Sequence, residues 1–290
     1  MKHRNRICLL STSAATFLGV VLGPSLSSPL WARLFIEEIH YNPSEPAAEE
    51  RPHELVEIYN DEPLRVEISG YVLEGGVDYR FPDGTWVEPH DVVVVAAEPE
   101  TIRALTGRDV VYGPFEDGGR LDNGGEELRL RDTGGSLVSR VPYNDRGRWP
   151  AAPDGEGPSL VLKDSMLDPT EGENWGWSPV PGGTPGRAPF EVARSEASIH
   201  EAYRGAGGGW VEIHNPGPEA LDLAAYRLDL GLDAGAGHVL PSPSLVAPRG
   251  YLVVDLAATG LSLPLGGARI VLRSPARVRV VAARRLDAQE

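Results

Sequence analysis

Residues Leu55-Val56-Glu57-Ile58-Tyr59-Asn60 are followed by Gly70-Tyr71-Val72-Leu73, then Phe81-Pro82, then Val87-Glu88-Pro89-His90-Asp91, which runs into Val92-Val93-Val94-Val95. The same order returns as Trp210-Val211-Glu212-Ile213-His214-Asn215, Ala225-Tyr226-Arg227-Leu228, Leu240-Pro241 and Val246-Ala247-Pro248-Arg249-Gly250, running into Tyr251-Leu252-Val253-Val254. Glu57 maps to Glu212 and Tyr71 to Tyr226 at an offset of 155, while Pro82 maps to Pro241 and Pro89 to Pro248 at an offset of 159. A plan written twice is one supersecondary unit used twice, so it sets the architecture before any single residue is read. It also points away from an enzyme, because a duplicated scaffold without a unique polar constellation suits a binding module.

Strand signals dominate around this core. Residues 33–40 alternate about Leu34, Ile36 and Ile39, and residues 128–131 and 137–141 alternate as well. The run 92–97 is apolar throughout, as in a strand buried on both sides. Turn clusters separate these runs, among them Pro82-Asp83-Gly84, Asp122-Asn123-Gly124-Gly125 and Asp132-Thr133-Gly134-Gly135. They supply the positive φ that tight hairpins need. One short helix is predicted near Glu98 to Thr106, stopped by Gly107. Many short strands without long helices mean an all-β protein, here two immunoglobulin-like β-sandwich modules in tandem. Residues 142–190 break the pattern with Trp149, Trp175 and Trp177 among prolines and glycines, and read as an irregular closing flap. The expected division is a signal peptide at 1–32, a first sandwich with its Trp-rich closing segment at 33–187, a linker at 188–196 and a second, shorter sandwich at 197–290. The second copy lacks a counterpart of the flap, so it is expected to be the less stable.

Lys2, Arg4 and Arg6 precede a mostly apolar stretch, Ile7 to Leu22, and then small and turn residues up to Ala32. That is the pattern of a secretory signal cleaved near Ala32; the alternative is an uncleaved N-terminal membrane helix, which an apolar core so short and so broken by Ser and Thr does not favour. The single cysteine, Cys8, lies inside it, so a mature chain has no disulfide and no thiolate metal site. Cleavage removes three of the 27 basic residues and none of the 42 acidic ones, moving the formal charge from −15 to −18. Such a surface repels nucleic-acid phosphate and anionic lipid and favours basic or cation-bridged partners.

Familiar catalytic signatures are absent from the sequence. Gly134-Gly135-Ser136 and Gly157-Pro158-Ser159 lack the spacing of a nucleophile elbow. His40, His53, His90, His200, His214 and His238 form neither His-x-His nor His-Glu-x-x-His, and no phosphate loop occurs. Carboxylates are the remaining candidates: Glu37-Glu38, Asp61-Glu62, Glu116-Asp117 and Asp122 would have to converge at one end of the sandwich to hold calcium. Glu57 and Glu212 read as outward, solvated positions or cross-strand partners of arginine. Trp86, Trp149, Trp175, Trp177 and Trp210 would stack on sugar if exposed, and cap a core if not. No catalytic, cofactor or metal residue is assigned.

Ile36-x-Glu38-Ile39-x-Tyr41-Asn42-Pro43, Val56-Glu57-Ile58-Tyr59-Asn60, Gly70-Tyr71-Val72-Leu73, Tyr79-Arg80-Phe81-Pro82, Asn123-Gly124-Gly125-Glu126 and the closing Asn174-Trp175 with Gly183-Thr184-Pro185-Gly186 together resemble the lamin tail domain in its bacterial secreted form. The resemblance covers about 36–187 well and 197–286 loosely. It implies an immunoglobulin-like sandwich and a non-catalytic module. No heptad segment accompanies it, so the filament role is not expected to carry over, and the accessory role is expected to lack its usual fused catalytic companion. The expected function is that of an exported structural or interaction protein, secreted or in the cell envelope. Its expected partner is an extracellular or envelope protein or polysaccharide, with no cofactor, no nucleic acid and no membrane insertion after cleavage. The alternatives are a carbohydrate- or calcium-dependent adhesion module, or a module of (or itself) an unrecognised extracellular hydrolase.

Overall fold

The computed structural model describes residues 33–43, 53–187, 189–205, 208–230, 237–276 and 279–288. The expected signal segment and cleavage site fall outside them. No helix among the described residues is long and apolar enough to cross a membrane. The protein is all-β, as the strand signals and turn clusters require.

The first half contributes β1 (Leu34–His40), β2 (Leu55–Asn60), β3 (Val66–Glu67), β4 (Val72–Glu74), β5 (Tyr79–Arg80), β6 (Trp86–Val87) and β7 (Val92–Ala96). After a helix at Pro99–Thr106 come β8 (Gly125–Arg131), β9 (Leu137–Asn144), β10 (Leu160–Leu162) and β11 (Trp175–Trp177). The helix ends where Gly107 adopts φ 70° and its N–H caps Arg103 O. One sheet runs β11-β10-β1-β2-β7 and faces a second running β5-β4-β8-β9, with the small β3-β6 ladder beside them. Between the sheets lies a core of Ile36, Ile39, Val56, Ile58, Leu73, Phe81, Leu128 and Trp175. β1 and β2 are buried along their whole length, so this sheet is covered on both faces.

The second half contributes β12 (Ser198–Gly205), β13 (Gly208–His214), β14 (Leu221–Asp222), β15 (Arg227–Leu230), β16 (His238–Val239), β17 (Leu245–Val246), β18 (Tyr251–Asp255), β19 (Ala268–Arg273) and β20 (Val280–Leu286). Its sheets run β12-β13-β18 and β16-β15-β19-β20 around Val211, Ile213, Leu228, Ile270 and Leu272. The same side-chain bonds recur in both halves. Asn60 Nδ2 donates to the carbonyls of Leu64, Val87 and Glu88, and Asn215 Nδ2 to those of Glu219, Val246 and Ala247. Thr85 Oγ1 donates to Pro82 O and Ser244 Oγ to Pro241 O.

The closing segment is more regular than its composition implies. β10 pairs antiparallel with β1, Glu38 opposite Val161, and β11 pairs with β10, Leu160 opposite Trp177. Leu160 and Leu162 insert into the first core, which is why three residues suffice for a strand. Phe190, within the stretch read as a linker, packs 4.9 Å from the Tyr59 ring and 6.3 Å from the Phe35 ring. It belongs to the cover of β1 and β2.

Candidate functional site

The outer face of the β1-β2-β7 sheet carries the one group of three acidic or histidine side chains, among the described residues, whose ligand atoms lie within 4.8 Å of one another: Glu37, Glu38 and Glu57. A β-bulge builds it. Ile36 lies opposite Ile58 and Glu38 opposite Glu57, so Glu37 is the extra residue. A bulge sets two consecutive residues against one on the partner strand. That is how adjacent glutamates and Glu57 come to share one patch.

The closing segment seals this patch. Glu38 Oε1 accepts from Ser159 Oγ at 2.6 Å and from the Thr184 N–H at 2.8 Å, and Glu38 Oε2 accepts from Thr184 Oγ1 at 2.7 Å. Glu57 Oε1 accepts from the Gly186 N–H at 2.6 Å, and Glu37 Oε2 from the Phe190 N–H at 3.3 Å. Gly183-Thr184-Pro185-Gly186 is thus a clasp over Glu38 and Glu57, with the Phe190 N–H completing the cover at Glu37. Two of its glycines are dictated by the approach. Gly183 has φ 80°, and a Cβ there would sit 2.4 Å from Glu38 Oε1; Gly186 has φ 70°, and a Cβ there would sit 2.2 Å from Arg108 Cδ.

All three glutamates are 1% exposed. Burial pushes Glu37 and Glu57 well above the usual carboxylate range, and the neighbouring charge of Glu38 adds to it in both, with Glu37 adding further at Glu57. Glu38 is raised too, but the Ser159 and Thr184 donors oppose the effect of burial. Glu57 Oε2 is buried with no hydrogen-bond partner. The patch therefore holds protons at pH values where free glutamate has lost them. At this burial its chemistry is that of a latch between a bulged strand and a clasp.

The acids, histidines and tryptophans singled out by the sequence divide accordingly once placed in three dimensions. Glu57 points outward from the sandwich core, as alternation requires, yet it is neither solvated nor paired with arginine, because the clasp covers that face. The other proposed acids do not join Glu37 and Glu38. Asp61 pairs with Arg33 at 3.3 Å, Glu116 accepts from the Arg80 N–H, and Asp122 accepts from the Gly124 N–H in its own turn. His40 is buried between His53 O at 3.0 Å and Gly157 O at 3.1 Å, and burial lowers its pKa to about 4. His200 and His214 are neighbours, 5.9 Å apart, in the second half. Trp175 lies in the first core, its Nε1 donating to Pro169 O, and Trp149 packs 5.9 Å from it. Trp86 is partly exposed under the Arg65 guanidinium. A cleft of 990 Å³ is lined in part by Asp145, Asp154, Arg269 and Arg285. These four pair with one another: Arg285 meets Asp145 and Asp154, and Arg269 meets Asp154. The bulge was the signal missed in the sequence; two acids in succession inside an apolar strand could have revealed it.

Residues 29–145 match the model of the Lamin Tail Domain family, the family the sequence resembles. It is a family of non-enzymatic, immunoglobulin-like domains. The matched range ends at the close of the β8-β9 hairpin, ahead of the clasp. No curated protein matches the chain.

Proposed function

We propose that this protein is a non-catalytic interaction module, exported and built from two lamin-tail-type sandwiches, that binds a macromolecule of the cell envelope or exterior through its loops and sheet edges. The observation that carries this reading is an asymmetry of cover. The first sandwich buries both faces of its β1-β2-β7 sheet, whereas the corresponding β12-β13-β18 sheet leaves Tyr203, Tyr251 and Val253 exposed. Exposed sheet faces and edges are surfaces that partners use. The family's non-enzymatic character supports the absence of catalysis, and the basic and apolar N-terminal stretch supports export.

The test is retention of an envelope extract by the immobilised full chain. Retention should survive substitution of any single histidine and fall when residues 193–290 are deleted. Its electrostatic part should weaken as salt passes about 0.15 M, where screening acts over roughly 8 Å. An extract that leaves nothing on the full chain at low salt would defeat the reading.

A further inference from the structure

The second sandwich repeats the geometry of the glutamate patch without its cover. β12 carries the same bulge: Ile199 lies opposite Ile213 and Glu201 opposite Glu212, so His200 is the extra residue. His200, Glu201 and Glu212 thus stand where Glu37, Glu38 and Glu57 stand. On the next strand Val253 lies opposite Glu212, as Val94 lies opposite Glu57. Val94 is 0% exposed and Val253 is 57% exposed. In the first sandwich this position is roofed by Ile102 and Val111, and the glutamates by the clasp. Among the described residues nothing equivalent lies over Val253 or Glu201.

The strand edge differs in the same way. β1 has β10 and then β11 along its outer side, while β12 is the terminal strand of its sheet. β20 packs beside β12 as β9 packs beside β1, and from it the Arg284 guanidinium donates to Ile199 O and His200 O, but no described strand pairs with that edge as β10 pairs with β1. A terminal strand presents unpaired N–H and C=O groups that template another strand.

Resting on the interaction reading above, we infer that this face receives an extended polypeptide segment of a partner protein. The segment adds a strand to the edge of β12 and lays backbone N–H and hydroxyl donors over Glu201 and Glu212. The chain itself specifies that chemistry, because the same bulged strand in the first half is completed by β10, Ser159, Thr184 and Gly186. The flanking pairs Tyr203–Trp210 and His214–Tyr251 give an amphipathic shelf on either side of Glu212. A second copy of the chain fits poorly. Face-to-face pairing would bring Glu201, Glu212 and the exposed Asp255 against their own copies, and like charges opposed across strands destabilise.

The experiment uses the full chain and a synthetic peptide with the sequence of residues 157–187, which performs this role in the first half. Fluorescence anisotropy should show saturable binding. Hydrogen exchange should show slowed amides within 198–205. Val253→Arg and Glu201→Lys, both at exposed positions, should each weaken binding at least tenfold with unchanged melting temperature. Absence of peptide binding, binding that slows exchange only within 34–60, or indifference to both substitutions overturns the inference. In the envelope-extract assay, retention unaffected by Val253→Arg overturns it while the broader reading stands. Val253-dependent retention of purified envelope polysaccharide in place of protein also overturns it. Loss of all extract retention with peptide binding intact fails the broader reading alone.

Discussion

Ala225 occupies the turn position that Gly70 occupies in the first half, and both have positive φ, 64° and 72°. An L-residue in the left-handed region costs roughly 1–2 kcal/mol, while glycine is free there but loses more entropy on folding. Ala225→Gly should therefore stabilise the protein by about 0.5–1 kcal/mol, read as a higher denaturant midpoint at unchanged slope. Glu57 gives a second test at this scale. Its folded pKa lies above the free value, so its contribution is full below about pH 4.5 and is lost as pH rises through the folded pKa. Glu57→Gln keeps an acceptor for the Gly186 N–H and cannot ionise. Its melting temperature should match the parent below about pH 4.5 and exceed it increasingly as pH rises above that value. Parallel pH profiles for the two proteins would show that Glu57 does not titrate in this way. Thr184→Val removes one hydroxyl donor from the buried Glu38 and should cost about 1–3 kcal/mol.

At the scale of elements, the sequence showed where strands run but not what lies on them. Alternation in Leu55-Val56-Glu57-Ile58-Tyr59 places Glu57 on the face away from the sandwich core, and the structure agrees. Whether that face meets water depends on Thr184, Gly186 and Phe190, more than 120 positions away, and no local period records so distant a cover. The bulge at Glu37 escaped for a related reason: one inserted residue looks like a lapse in alternation until its partner strand is known. The closing segment was hidden by its glycines and prolines, which mark turns, while its two three-residue strands are too short to show a period. What was legible were the long ladders and the Gly107 helix stop, whose signals are local. The clasp itself can be broken selectively. Gly183→Val combines a positive φ with a collision against Glu38 Oε1, and should destabilise by at least about 2 kcal/mol. Hydrogen exchange should then accelerate in β10 and β11 before it does in β8 and β9. Uniform acceleration would mean that the clasp is not a separable element.

Across the whole molecule, the segment that closes the first sandwich also supports the second. Ala152 and Trp177 pack with Val271, Val280 and Ala283 of the β19-β20 hairpin. Around this small apolar contact runs a charge network. Arg269 meets Asp154 at 2.5 Å and Glu156 at 2.8 Å, and Arg273 reaches Glu156 and lies 3.2 Å from Asp229. Arg269 is 5% exposed, so its charge is held away from solvent by partners from the other half. Buried pairs add little net stability when formed but cost about 3–5 kcal/mol when one partner is removed, because the survivor is stranded. Arg269→Met should therefore uncouple the halves: Trp175 in the first core should still report a late transition, and Trp210 on the second sheet an earlier one. The fragment 193–290 should also be less stable than 33–187: both lose the contact between the halves, but the first keeps β10 and β11 over its own sheet while β12 stays a terminal strand and Val253 stays exposed. A single coincident transition in Arg269→Met, together with a C-terminal fragment as stable as the N-terminal one, would show that the second sandwich stands without this support.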